Sequence, residues 1–104
     1  MTMAQTTKDI PAEIHNEIGL IAWKELAHFF AQGAAIAIHI ELDLADVALQ
    51  LTRNNTAAVS AWMQEDKVAK VSDELARAWF DADATVRAIV VSPWVLVQAA
   101  EANN

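Results

Sequence analysis

The residues best placed to do chemistry in this chain are His39-x-Glu41-x-Asp43. Alternate side chains of an extended strand share a face, so this spacing would let an imidazole and two carboxylates converge as metal ligands. The corresponding reading is a metal-dependent enzyme. The same residues also have a purely structural assignment: Asp43 as a helix cap, Glu41 as a solvated strand end, His39 as a half-buried side chain. One three-residue spacing discriminates far less than a motif such as H-E-x-x-H, so the structural assignment is preferred. His15 and His28 have no ligand type four residues on and read as surface or boundary histidines.

Other chemistries find less. Ser60, Ser72 and Ser92 are the only serines, and none has the flanking glycines of a nucleophile elbow. The acid pairs Glu65/Asp66, Asp73/Glu74 and Asp81/Asp83 fall at predicted helix ends and turns, where solvated carboxylates are ordinary. No residue is assigned a catalytic role, and nothing implies a cofactor. Trp23, Trp62, Trp79 and Trp94 are many tryptophans for 104 residues. Trp62 and Trp79 lie on apolar helix faces, so core packing is the leading explanation and a binding groove the alternative.

Composition excludes whole classes. With Gly19 and Gly33 the only glycines, neither a Walker-type loop nor a G-x-G-x-x-G turn is present. The absence of cysteine removes disulfides, thiolate nucleophiles and cysteine-ligated zinc. Fourteen acids against seven bases leave a net charge of −7, which repels a phosphate backbone. Leu42–Val71 imitates a winged helix-turn-helix, but its second helix, Ala57–Glu65, has no basic residue and ends on Glu65-Asp66. Nucleic acid is therefore not an expected partner. The apolar runs are too short to cross a membrane and Met1–Asp9 lacks a signal-peptide core, so a cytoplasmic protein is expected.

The elements that must hold these residues follow from periodicity and caps. Of the 55% hydrophobic residues, 22 are alanine and 35 are large, enough for one ordinary core. One domain is expected over residues 9–100, with flexible ends at 1–8 and 101–104. Asp9 caps a short helix carrying Ile10, Ile14, Ile18 and Ile21, and a second runs near Trp23–Gln32, ended by Gly33. Ala34–Ile40 reads as a strand, with Ile36, Ile38 and Ile40 on one face. Asp43 caps a helix with the stripe Leu44, Val47, Ala48 and Leu51. Asn54-Asn55-Thr56 ends that helix and caps one presenting Val59, Trp62 and Met63. Lys67–Val71 is a short strand, Ser72 caps a helix with Leu75 and Trp79 inside, and Thr85–Val97 is a last strand interrupted at Ser92-Pro93. The result is an α+β domain, roughly α-α-β-α-α-β-α-β, with a short sheet covered by helices.

Three segments carry a family resemblance: Trp23-Lys24-Glu25-Leu26 with Phe30-Ala31-Gln32-Gly33; Leu42-Asp43-Leu44 with Val47-Ala48; and Pro93-Trp94-Val95-Leu96-Val97-Gln98. In order and spacing the chain resembles, from about Ile14 to Gln98, a bacterial family without assigned activity, domain-of-unknown-function family twenty-two eighty-eight. The resemblance implies a small intracellular bacterial protein and carries over no catalytic or ligand-binding residue. One departure is Ala22, where the family is expected to favour a hydroxyl residue that would complete a capping box with Glu25.

What remains is a non-catalytic domain acting through protein contacts. Pro93 cannot donate to a ladder, which favours an edge or bulge, and Trp94, Val95, Leu96 and Val97 follow it with no polar alternation. An edge strand apolar on both faces needs cover. The expectation is a homodimer, or a protein partner, joined through Trp94, Val95, Leu96 and Val97, with the first helix folding back over them as the alternative.

Overall fold

The computed structural model describes residues 10–100, so Asp9 and both predicted flexible ends lie outside the described residues. Pro11 leads into helix α1 (Ala12–Glu17), and its missing N–H costs nothing there. The chain then departs from expectation, because Gly19–Ala22 forms a strand, β1, instead of continuing a helix. A 3₁₀ turn (Trp23–Leu26) runs into α2 (Ala27–Ala31). Ala22 precedes that turn and offers no side-chain cap. Gly33, at φ +74°, turns the chain into β2 (Ala35–Ile38).

Three of the predicted N-caps, at Asp43, Asn55 and Ser72, are in place. Asp43 accepts from the Ala45 N–H at the start of α3 (Leu44–Thr52). Asn54 sits at positive φ, and Asn55 accepts from the Ala58 N–H to start α4 (Thr56–Gln64). After β3 (Val68–Lys70), Ser72 accepts from the Leu75 N–H and opens α5 (Asp73–Asp81). The final stretch is a hairpin of β4 (Thr85–Val91) and β5 (Trp94–Ala99), not one interrupted strand. Ser92 and Pro93, joined by a cis peptide bond, make its turn.

These strands form one five-stranded sheet in the order β1-β4-β5-β2-β3, antiparallel except where β2 runs parallel to β5. The fold is α+β, as the sequence predicts, with helices on both faces. On one face Trp23, Leu26, Phe30, Leu75, Ala76 and Trp79 pack against Val86, Val95 and Val97. On the other, Ile14, Leu44, Val47, Ala48 and Trp62 pack against Ile38, Ile89 and Leu96.

This topology corrects the edge-strand expectation. β5 is the middle strand, hydrogen-bonded on both sides, and Val95, Leu96 and Val97 are fully buried. Their unbroken apolar run is that of a central strand between two helical layers. Pro93 obeys its own restriction by occupying the turn. Those three valine and leucine side chains therefore form no intermolecular surface, and only Trp94, 37% exposed, reaches solvent.

Candidate functional site

The proposed metal ligands are not brought together. β2 ends at Ile38, and the chain turns at once, with the Leu42 N–H donating to the His39 carbonyl at 3.0 Å. The strand geometry that would have aligned alternate side chains is therefore lost. Each residue has a different local task. His39 Nδ1 accepts from the Glu41 N–H at 3.0 Å, which occupies that nitrogen's lone pair. Glu41 turns toward β3 and meets the Lys67 ammonium at 3.2 Å. Asp43 caps α3. Among the described residues no group of three His, Cys, Asp or Glu side chains could hold a metal ion.

Lys67 ties this corner together from the other side. Its ammonium also meets Glu65 at 3.4 Å, and the hydrogen bond it donates to Glu41, followed by the one it donates to Glu65, holds its pKa above the ordinary lysine value. The charges are solvent-exposed and contribute little to stability.

Gln98 is the buried polar residue that sequence reasoning missed. It stands on the central strand, and its amide nitrogen donates to the carbonyls of His39 (3.0 Å) and Leu42 (2.8 Å). Both hydrogens of one amide thereby hold the turn that follows β2. The available signal was a single amide ending an apolar run, where alternation predicts an inward face.

The tryptophans divide by environment. Trp23 is buried, edge-on to Phe30 at 6.0 Å and tilted against Trp79 at 5.1 Å. Trp62 and Trp79 are half-buried against opposite cores, so Trp62 is a partial core residue instead of the full one its helix face suggests. Trp94 lies at the turn end of β5.

The sheet's open edges are β1 and β3. β3 has three residues, ends in Lys70, and is preceded by the ion-paired Lys67. β1 is Gly19-Leu20-Ile21-Ala22, without a charge, and Leu20 is 70% exposed. The Trp23 N–H donates to the Ala84 carbonyl at 2.9 Å, in register with the β1–β4 pairing. Alternation along an antiparallel ladder then turns the N–H groups of Leu20 and Ala22 away from β4.

Comparison with known proteins gives one family and one solved fold. The family model described as a protein of unknown function (DUF2288) matches residues 9–99. The NMR solution structure of PA1075 from Pseudomonas aeruginosa is similar with a TM-score of 0.79 and 33% identity, over 98% of this chain and 94% of that one. No curated protein matches. Among the described residues no helix is long and apolar enough to cross a membrane.

Proposed function

The chain belongs to the DUF2288 family of proteins of unknown function, and on that footing we propose a small non-catalytic, cytoplasmic module that works through protein–protein contacts, with self-association through β1. The observation that carries this reading is the unguarded edge of that strand. Native edges are ordinarily blunted by charge, proline or brevity. β3 has lysine and three residues, whereas β1, itself only four residues long, has neither charge nor proline, and Leu20 stands in solvent beside its outward N–H groups. A second observation supports the non-catalytic part: His39, Asp43 and Ser72 all act as acceptors for backbone N–H groups.

The edge is complementary to itself. If two copies meet antiparallel about a twofold axis at Ile21, Leu20 of each lies opposite Ala22 of the other. The outward N–H of each then finds a carbonyl, and the leucine packs over the small alanine. Twofold closure also removes the exposed edge without leaving a growing one. Four residues a side make a small interface, so the dimer is a weak one with a Kd of about 1–100 μM.

Sedimentation velocity from low to high micromolar concentration tests this reading. The expected result is a reversible dimer that Leu20→Lys abolishes with an unchanged circular dichroism spectrum. A wild-type monomer throughout would overturn it, as would a dimer that survives Leu20→Lys.

A further inference from the structure

We propose that a cavity between α3, α4 and the sheet binds a small aromatic monocarboxylate, its ring among apolar side chains and its carboxylate on Lys70. The cavity measures about 230 Å³ and has Ile36 on its floor, Leu51, Val59 and Met63 on its helical walls, and Trp94 and Lys70 at its sides. Drug-sized ligands occupy clefts of about 300–1,000 Å³, so this volume suits a body of one or two rings.

Strand register explains why these residues meet. Ile36 pairs with Leu96 on one side and Lys70 on the other, and Trp94 lies two residues before Leu96 on the same face. The Lys70 ammonium lies over Gly33, 3.7 Å from where a Cβ would stand. The next residue, Ala34, accepts from the Val95 N–H at 2.9 Å, beside Trp94. Lys70 and Trp94 thus approach the same end of the sheet from either side of β2.

Two features argue for an anionic aromatic occupant. Lys24 and Lys67 are ion-paired with Asp83 and with Glu41 and Glu65, whereas Lys70 has no carboxylate partner among the described residues. An unneutralised ammonium beside an apolar cavity complements an apolar acid. Met63 and Trp94, two of the few large hydrophobic side chains left exposed, both line this cavity, with Met63 at 54%. A thioether and an indole offer sulfur–aromatic and ring-stacking contacts to a bound ring.

The probes are phenylacetate and its uncharged counterpart phenylacetamide, titrated into the isotopically labelled full chain while amide and indole resonances are followed by NMR. Carrying the Leu20→Lys change in every sample separates this test from self-association. Phenylacetate is expected to shift Ile36, Val59, Met63 and the Trp94 indole saturably, with a Kd of about 0.1–1 mM for a ligand of this size. The amide should bind about fivefold to tenfold more weakly, and Lys70→Met should erase that preference without changing the spectrum elsewhere. Trp94→Ala should weaken both ligands. No saturable shift up to about 10 mM would overturn the proposal. Equal affinity for acid and amide, or shifts confined to other surfaces, would do the same.

Discussion

Gln98 shows how much one side chain can determine in a domain of this size. Of the two carbonyls it serves, that of His39 also takes the Leu42 N–H, so losing the amide falls on the Leu42 carbonyl, which must then find water or move. Gln98→Leu should cost about 1–3 kcal/mol in urea denaturation, the usual range for stranding a buried polar group. Gln98→Glu should cost more at neutral pH, since a carboxylate would face two carbonyls with no proton to donate. An unchanged midpoint for both would show that water already serves the turn. The tryptophans offer a second comparison at this scale. Trp23→Ala should lose about 3–5 kcal/mol, because the ring is buried against Phe30 and Trp79. Trp62, half-buried, should lose clearly less. Equal losses for the two would mean that Trp62 carries more of the second core than its exposure indicates.

At the scale of elements, the legible parts were those governed by local chemistry. Asp43, Asn55 and Ser72 each stand before an apolar helical stripe and each accepts from a backbone N–H of the first turn. Such a cap contributes about 1 kcal/mol and depends on a few residues, so sequence reveals it. β1 was not legible for a physical reason: Ile14, Ile18 and Ile21 keep helical spacing, yet the first two cover one face of the sheet and Ile21 the other. A four-residue strand is too short to assert its own period against that pattern. The β4–β5 hairpin was obscured because its turn is Ser92-Pro93 instead of the Asn-Gly or Asp-Gly pair that advertises a two-residue loop. For Val95–Val97, the unbroken apolar run does announce a need for cover on two faces, whereas Trp94 stays exposed. Whether helices or a second chain supply that cover depends on long-range pairing with β2, which periodicity does not encode. The same limit applies to the site, since His39, Glu41 and Asp43 would align only if β2 continued beyond Ile38.

At the scale of the whole molecule, the sheet order makes β5 the structural centre and β1 the margin. β5 holds β4 on one side and β2 on the other, and its buried side chains serve both helical layers, Leu96 on one face and Val95 and Val97 on the other. Its amide hydrogens can exchange only when both neighbours and both cores are disrupted together. β1 has one paired side, and the N–H groups of Leu20 and Ala22 face outward. Local opening therefore spans a gradient from β1 to β5. Amide hydrogen exchange should find Val95, Leu96 and Val97 among the slowest sites, with a free energy equal to that of global unfolding by urea. Leu20 and Ala22 should exchange fast in dilute protein. Raising the concentration into the dimer range should slow these two amides selectively, because an added strand is the one event that covers them while leaving β5 unchanged. Leu20→Lys should remove that concentration dependence and preserve the slow exchange of β5. Protection of Leu20 and Ala22 independent of concentration would place their hydrogen bonds within a single chain, and the self-association reading would fall with it.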